Sequence, residues 1–305
     1  MKNIEFFTLN KNFQLAHNIA SKFNKQVIIP EIAHFSDSEI RVELPQGVDV
    51  SGICAYIVYS TVDPVNRSYM KLFFLADLLK RRGAKKVHVI IPYIGYSRQC
   101  GCKTGETIGH AKVIARLIES SGIDSVDSFE IHDGTLESFF SIPFKNILLR
   151  RFIAEDIQER FSMLDNICLI APDKGARSRV EDIAKLLSVD TIFFSKKRID
   201  ESCVNVLASG GSCLDKNCII IDDIINTGGT AIKVANKLKE QGAQKIYAYF
   251  VHPVLSGNVI ENLQKSPIGT AFVTNTVPLQ DNEKIEKIKV LDVSEVLFKY
   301  LKDNM

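Results

Sequence analysis

The sequence predicts an α/β protein made of two similar domains, each a mainly parallel sheet flanked by helices. Apolar runs of strand length alternate with helical patterns along most of the chain, and this alternation is typical of parallel sheets covered by helices. A segment around Gly83 recurs around Gly242, which indicates a duplicated unit. The length of 305 residues is sufficient for two domains.

The order of the elements follows from the apolar runs and the helical periodicity. Strands are predicted near residues 4–8, 26–30, 53–59, 87–91, 125–131, 167–171, 190–194, 218–222, 245–251, 270–274 and 287–291. Helices are predicted near residues 11–23, 65–82, 108–121, 149–161, 177–187, 229–241 and 293–302.

The repeat has a constant offset of 159 residues. Around Gly83 and Gly242 the residues Ala, Leu, Lys, Gly, Ala and Lys recur in register, and in each copy a helix ends at the glycine and an apolar strand follows. At this offset Asp63 falls on Asp222, but its neighbour Pro64 is not acidic. The first copy is therefore expected to keep the scaffold and to lack the acidic pair of the second.

Three segments are predicted from these patterns. The first domain is residues 1–144, because Pro143 interrupts the pattern near its end, and the second is residues 145–285. The tail, residues 286–305, reads as a strand followed by a helix that packs on the first domain.

Composition excludes several classes of protein. Hydrophobic residues make up 46% and charged residues 24%, with a net charge of +2, which is typical of a globular protein and gives no case for a nucleic-acid or membrane partner. No apolar run approaches the roughly 18 residues needed to span a bilayer. Seven scattered cysteines fit a reducing cytoplasm. Three of them, Cys54, Cys168 and Cys218, read as small buried hydrophobic residues.

The most informative segment runs from Cys218 to Thr230. An apolar run ends at Asp222 and Asp223, and a Thr-Gly-Gly-Thr turn then opens a helical pattern. The glycines allow backbone N–H groups to approach an anion, and the helix presents its positive N-terminus to it. The two carboxylates would be repelled by a phosphate, so they are expected to face sugar hydroxyls or a Mg²⁺ ion.

Four motifs occur in order along the chain. They are Phe35-Ser36-Asp37-Ser38-Glu39-Ile40, Pro92-Tyr93-Ile94-Gly95-Tyr96-Ser97-Arg98-Gln99, Ala171-Pro172-Asp173-Lys174-Gly175-Ala176 followed by Lys196-Lys197-Arg198, and the loop from Asp222 to Thr230. With these motifs the chain resembles the ribose-phosphate diphosphokinase (phosphoribosyl pyrophosphate synthetase) family over nearly its whole length. The resemblance implies two phosphoribosyltransferase-like domains and transfer of the diphosphoryl group of ATP to the C1 hydroxyl of ribose 5-phosphate.

The resemblance also implies roles for individual residues. Ribose 5-phosphate is expected on one set in the second domain: Asp222, Asp223, Asn226, Thr227, Gly228, Gly229 and Thr230. ATP is expected on a set in the first domain: Phe35, Asp37, Glu39, Arg98 and Gln99. Lys196 and Arg198 match the family's basic catalytic pair, and His132 and Asp173 match its metal ligands, with Mg²⁺ as the cofactor.

Two further expectations come from the resemblance. Residues 196–212 match a mobile loop that closes over the site. The hairpin that carries Phe35 reaches the ATP site of a neighbouring subunit in the family, so a homo-oligomer is expected in which a neighbour completes that site. Imidazole is an unusual ligand for Mg²⁺, and the role of His132 is implied by the resemblance alone.

Departures from the family pattern leave two alternatives. Cys100-Gly101-Cys102 stands where charged residues are usual, which would fit a catalytically weak regulatory paralogue. The loop from Asp222 to Thr230 would by itself also fit a phosphoribosyltransferase. Retention of Lys196 and Arg198 argues against the first alternative, and the hairpin and the Arg98-Gln99 pair argue against the second.

Overall fold

The computed structural model describes residues 3–62, 64–101, 109–163, 166–198 and 204–304, with residues 196–198 and 204–208 described by their backbone alone. Asp63 and Cys102 lie outside the described residues. No helix within these ranges has the length and apolar character needed to cross a membrane.

Fifteen strands and eight α-helices occur in the described part of the chain. The strands are β1 (Ile4–Phe7), β2 (Val27–Ile28), β3 (Glu31–His34), β4 (Ile40–Glu43), β5 (Cys54–Val58), β6 (Lys86–Ile90), β7 (Ser125–Phe129), β8 (Phe144–Ile147), β9 (Ile167–Ala171), β10 (Asp190–Arg198), β11 (Val204–Gly210), β12 (Asn217–Ile225), β13 (Lys245–Pro253), β14 (Thr270–Thr274) and β15 (Ile288–Leu291). The helices are α1 (Gln14–Lys22), α2 (Val65–Arg81), α3 (His110–Ser120), α4 (Arg150–Arg160), α5 (Arg177–Leu187), α6 (Gly229–Glu240), α7 (Val259–Lys265) and α8 (Ser294–Asn304).

The chain forms two compact units. Unit 1 contains Met1–Ile147, Thr276–Pro278 and Asp292–Met305, and unit 2 contains Leu148–Asn275 and Leu279–Leu291. The predicted fold class, α/β with mainly parallel sheets flanked by helices, is confirmed. The tail differs from the prediction, because β15 pairs with β14 in the sheet of unit 2 and only the segment that carries α8 belongs to unit 1.

Unit 1 is built on a six-stranded sheet in the order β2-β1-β5-β6-β7-β8, in which every pair is parallel. Side chains alternate along each strand, so Ala55 and Ile57 of β5 enter the core with residues of α2 and α3, while Tyr56 faces the other side. Strands β3 and β4 form a separate antiparallel hairpin. The chain changes direction across the sheet between β1 and β5, which is where ligands bind in open α/β sheets.

Unit 2 is built on a seven-stranded sheet in the order β11-β10-β9-β12-β13-β14-β15. All its pairs are parallel except β10 with β11. Strands β9 and β12 are neighbours, with β10 on one side and β13 on the other, so the change of direction falls between β9 and β12. Their carboxyl ends form the edge at which a ligand is expected.

The two copies of the repeat end their helices in the same way. After α2 the N–H of Gly83 donates to the carbonyl of Lys80 at 3.0 Å, and after α6 the N–H of Gly242 donates to the carbonyl of Lys239 at 3.1 Å. Both glycines have a positive φ, 90° and 86° respectively. This left-handed termination favours glycine, which explains why both copies keep it.

The two copies of the repeat do not keep the constant offset at the edge of the sheet where a ligand is expected. Cys54 pairs with Lys86 in unit 1 and Asn217 pairs with Lys245 in unit 2, so the paired residues are 32 positions apart in one copy and 28 in the other. The four additional residues of the first copy correspond to about one helical turn, and α2 is the longer helix.

This difference corrects the alignment of Asp63 with Asp222. Counted from the paired strand positions, Asp223 corresponds to Ser60. The Ser60 hydroxyl donates to the carbonyl oxygen of Thr276 and accepts from the N–H of Tyr93 at 3.1 Å. Unit 1 therefore has a buried structural hydroxyl where unit 2 has a carboxylate.

In the stretch predicted to be a mobile loop, residues 196–212, the described residues 196–198 and 204–210 belong to two paired strands. Strand β10 continues to Arg198, and β11 pairs with it antiparallel, with Arg198 opposite Val204. The alternating Val204 and Val206 favour a strand, and the serines and glycines that follow obscured this pattern in the sequence. The intervening residues 199–203 are outside the description.

Candidate active site

The acidic pair lies inside a strand rather than beyond its end. Strand β12 continues past Asp222 and Asp223 to Ile225, next to the carboxyl end of β9. Asp223 is 5% exposed, and its N–H donates to Oδ1 of Asp222 at 2.9 Å. Two neighbouring carboxylates are thus held at the edge of the sheet where the chain changes direction.

A buried arginine faces both carboxylates. Nη1 of Arg179 lies 3.9 Å from Oδ1 of Asp222, and Nη2 lies 3.8 Å from Oδ2 of Asp223. The Arg179 side chain is only 7% exposed. It lies in the first turn of α5 on the same helical stripe as the buried Ile183. Arg179 is not among the residues predicted for the site, although a charge within an apolar stripe indicates a buried partner.

One arginine does not fully compensate two buried acids. Burial raises the pKa of Asp222 well above its usual range, and the charge of Asp223 raises it further. Arg179 acts in the opposite direction. A ligand that offers hydroxyl donors, or a divalent cation, would stabilise the ionised pair.

The turn after β12 is shaped by Gly228. This residue has a φ of 72° and is the N-cap of α6, and its carbonyl accepts from the N–H of Ile232 at 2.9 Å. A Cβ atom at this position would lie 3.1 Å from Cγ2 of Val259. Thr227 and Gly229, on either side, are exposed. The turn therefore offers accessible backbone at the positive end of a helix, where anions bind.

Asn226 fixes the start of this turn. Its carbonyl accepts from the N–H of Ser256 at 3.0 Å, and its buried Oδ1 has no hydrogen-bond donor among the described residues. Thr230, in the first turn of α6, is half-buried. The predicted sugar-phosphate residues are thus brought together in unit 2.

Asp173 follows β9 and shapes the turn into α5. Its Oδ1 accepts from the N–H of Gly175 at 2.9 Å and of Ala176 at 3.2 Å. Its charge also contributes to the raised pKa of Asp222, so the third acid of unit 2 belongs to the same edge of the sheet.

Arg98 and Gln99 lie in unit 1, in the turn after β6, and both are exposed. The turn is held by the N–H of Gly95, which donates to Oγ1 of Thr61 at 2.7 Å. A Cβ atom on Gly95 would lie 2.5 Å from Cγ2 of Val65, so only glycine fits. A rigid turn therefore presents two flexible polar side chains to solvent.

The predicted adenine-side residues occupy the tip of the β3–β4 hairpin. The Phe35 side chain is 48% exposed, and Cζ of Arg41 lies 5.9 Å from the centroid of its ring. Oδ1 of Asp37 accepts from the N–H of Glu39 at 3.1 Å. The hairpin tip presents an aromatic ring and two carboxylates without burying them.

The two predicted metal ligands belong to different units. His132 is exposed and follows β7 in unit 1, where Asp133 caps the next turn by accepting from the N–H of Thr135 at 2.9 Å. In the parts of the chain that are described, no three His, Cys, Asp or Glu side chains form a group that could hold a metal.

Two other predicted features can be located. Lys196 and Arg198 lie in β10, paired with Val206 and Val204 of β11. Cys100 is 6% exposed, and its Sγ approaches the carbonyl oxygen of Ser97 at 3.2 Å. Cys100 is a packing residue, as expected for a small apolar side chain.

Comparisons with known proteins agree with this architecture. A family model described as the N-terminal domain of ribose phosphate pyrophosphokinase matches residues 4–122, and one described as the phosphoribosyl synthetase-associated domain matches residues 194–303.

Curated relatives match nearly the whole chain. Ribose-phosphate pyrophosphokinase of Bacillus subtilis strain 168 is 34% identical over 296 residues, which cover 97% of this chain and 92% of the relative. The same enzyme of Ralstonia nicotianae is 34% identical over 293 residues, which cover 95% and 92%. The crystal structure of phosphoribosylpyrophosphate synthetase from Mycobacterium smegmatis superimposes with a TM-score of 0.91 at 27% identity and covers 100% of both chains. The chain therefore belongs to the ribose-phosphate pyrophosphokinase family.

Proposed function

We propose that this protein transfers the diphosphoryl group of ATP to ribose 5-phosphate, which yields 5-phosphoribosyl 1-pyrophosphate and AMP. The C1 oxygen of the sugar bonds to the β-phosphorus, the bond from that phosphorus to the bridging oxygen of AMP breaks, and the hydroxyl proton is released. The observation that carries the proposal is the acidic pair beside the Gly228 turn, in a chain of this family.

Ribose 5-phosphate would bind in unit 2 by its two ends. The sugar hydroxyls donate to Asp222 and Asp223, and the 5-phosphate accepts from the N–H groups of residues 227–230. Hydrogen bonds to charged groups contribute about 1.5–3 kcal/mol each, so these contacts are sufficient to orient a small sugar. Arg179 is a positioning residue, because it faces both acids and lies behind them in the buried part of the unit.

ATP would be bound by residues of unit 1. Arg98 offers a forked donor set to the phosphates, and Gln99 offers both a donor and an acceptor to adenine. Phe35, Asp37 and Glu39 suit the base of a nucleotide, since a ring stacks and carboxylates accept from the amino group. We further propose that the hairpin serves a neighbouring subunit of a homo-oligomer.

Lys196 and Arg198 would act on charge that develops during transfer. Positioned cations stabilise the oxygens of a phosphoryl group in flight more than those of the bound substrate. Their role is expected to appear in kcat more than in binding.

A Mg²⁺ ion fits the donor chemistry. Mg²⁺ prefers oxygen ligands and usually takes one or two carboxylates together with substrate phosphates. Asp173 fits, because its Oδ2 accepts no hydrogen bond from the described residues; His132 would be the second protein ligand. When bound, the ion neutralises phosphate charge. The cytoplasm, where ATP and free thiols are abundant, is the proposed compartment.

One assay tests the proposal. The protein is incubated with ATP, Mg²⁺ and ribose 5-phosphate, and AMP is measured with and without the sugar. AMP that depends on the sugar supports the proposed reaction. ATP binding without AMP would favour a regulatory paralogue, and product formation only when a free base and 5-phosphoribosyl 1-pyrophosphate are supplied would favour a phosphoribosyltransferase.

A further inference from the structure

Unit 1 contains a cavity of about 580 Å³ that shares no residue with the proposed substrate sites. It lies against the face of the sheet opposite the core, where Tyr56 and His88 point, and α8 forms part of its wall through Tyr300 and Leu301. Its volume is within the range of about 300–1,000 Å³ that is typical of small-molecule sites.

The cavity is lined by a continuous hydrogen-bonded chain. The Ser125 hydroxyl meets Nδ1 of His88, and Nε2 of His88 lies 2.7 Å from Oδ2 of Asp127. The Tyr300 hydroxyl donates to Oδ1 of the same carboxylate at 3.1 Å. Both oxygens of Asp127 are therefore occupied by protein donors, and its side chain is only 3% exposed.

The remaining charges around the cavity are predominantly positive. Lys86, Lys145 and Lys302 line it, and none of them forms an ion pair with a described residue. The other lining acid, Asp124, is paired with Lys80 at 2.7 Å. With Lys80 included, four ammonium groups accompany the carboxylates of Asp124 and Asp127, so these six groups carry a net charge of +2.

The rest of the wall is apolar. Ile4, Phe23, Tyr56 and Leu301 line the cavity, and Tyr56 packs on His88 with 4.9 Å between the ring centroids. Such a wall can bury the hydrocarbon or aromatic part of a ligand, while the lysines at its border attract negatively charged groups of that ligand.

We propose that this cavity is a binding site for a small organic dianion with an aromatic or alkyl body. Two negative charges on the ligand balance the net charge of +2, and the apolar wall covers the body of the ligand. Asp127 is a poor site for a cationic ligand, because its two oxygens already accept from His88 and Tyr300 and its side chain is only 3% exposed. The site is independent of the proposed reaction.

Cys54 provides a reporter inside the cavity. It lines the wall and is half-buried. Cys100, Cys168, Cys213 and Cys218 are buried, and burial raises the pKa of the Cys168 thiol to about 11 and of the Cys218 thiol to about 12. The rate at which Cys54 is alkylated, measured by mass spectrometry of the peptide that contains it, therefore reports whether the cavity is occupied.

The experiment titrates naphthalene-1,5-disulfonate, a rigid aromatic dianion, against the rate at which iodoacetamide alkylates Cys54 in the full chain. We expect the dianion to slow alkylation of Cys54 in a saturable manner, and we expect this protection to weaken as salt is added. The triple variant Lys86→Gln, Lys145→Gln, Lys302→Gln should raise the Kd about tenfold. Lys112→Gln, on the exposed side of α3, is the matched control and should leave the Kd unchanged.

Three outcomes would overturn the proposal: a Cys54 that does not react, alkylation unaffected by the dianion, or protection that is equal in the triple variant. Circular dichroism and the AMP assay establish that each variant is folded. None of the three lysines belongs to the proposed catalytic or substrate-binding residues. The triple variant can therefore lose binding at the cavity while it keeps its activity in the AMP assay.

Discussion

Nη2 of Arg179 lies 3.8 Å from Oδ2 of Asp223, and each of the two side chains is 7% exposed. Such a buried pair is a weak source of net stability, but removing one partner leaves a charge without compensation. The pair therefore couples the stability of unit 2 to the geometry of its sugar site.

Replacing Arg179 tests this coupling. Arg179→Ala should lower the free energy of unfolding by about 3 kcal/mol and raise the KM for ribose 5-phosphate. Arg179→Lys should recover part of both losses, because it keeps the charge but not the forked geometry. Arg177→Ala is the control, since that side chain is 59% exposed and pairs with Glu181 on the surface. Equal KM values in all three variants would contradict the positioning role.

Asp223→Ala should raise the KM for ribose 5-phosphate about tenfold to a hundredfold, since one or two hydrogen bonds to a charged group are lost. Turnover should also fall, because the sugar is less well oriented. Steady-state kinetics at saturating ATP measures both effects. Glu261→Gln, an exposed charge change on α7, is the control, and a normal KM for Asp223→Ala would exclude this carboxylate from the sugar site.

Two glycine substitutions separate backbone strain from ligand binding. Gly228 and Gly257 both have a positive φ, 72° and 63°, but a Cβ on Gly257 meets nothing within 4 Å. Each alanine variant should lose about 1–2 kcal/mol of stability from the left-handed conformation. Only Gly228→Ala should also weaken binding of ribose 5-phosphate, as measured by calorimetry. Similar affinities in the two variants would indicate that the turn does not contact the phosphate.

Lys196→Ala should lower kcat about a hundredfold or more while changing the KM values little, as expected for a charge that acts on the transition state. Lys197→Ala, the neighbouring residue of the same charge, is the matched control and should retain most activity. The comparison uses the AMP assay under saturating conditions. An unchanged kcat for Lys196→Ala would remove this residue from catalysis.

The contact between α1 and α8 predicts a pH dependence. The hydrogen bond from Nζ of Lys22, at 2.6 Å, holds the pKa of Glu295 below its usual range. A carboxyl with a lowered pKa stabilises the folded state above its unfolded pKa of about 4.3, and this stabilisation is lost as the pH falls. Glu295→Gln should lower Tm by at most about 2 °C at pH 7, and the difference should disappear near pH 3.

Asp303→Asn, on the same helix, should leave Tm unchanged at both pH values, because the Asp303 carboxyl is exposed and forms no ion pair with a described residue. A difference for Glu295→Gln that persists at low pH would show that packing, and not charge, is responsible.

The sequence was sufficient for the alternation of strands and helices, because buried parallel strands are nearly continuous apolar runs. It was also sufficient to locate Asp222 and Asp223 beside a glycine turn. It did not reveal Arg179, because a helix face that carries both apolar and charged residues does not by itself indicate which distant strand it packs against.

The longer connection in the first copy was missed for a related reason. The offset between Gly83 and Gly242 is set by helix ends, whereas the position of Ser60 opposite Asp223 is set by strand pairing. Only the pairing of β5 with β6 and of β12 with β13 reveals the additional turn. The strand β11 was missed because its polar residues conceal the alternation of Val204 and Val206.

Unit 1 is assembled from separated segments of the chain, and this has a consequence for biosynthesis. The segment Asp292–Met305 leaves the ribosome after all of unit 2, yet its Asp292 and Glu295 accept hydrogen bonds from Asn18 and Lys22 of α1. Unit 1 begins to leave the ribosome before unit 2 but is completed after it. Unit 2 can therefore fold while unit 1 still lacks α8. Deletion of the codons for residues 292–305 would leave unit 1 incomplete.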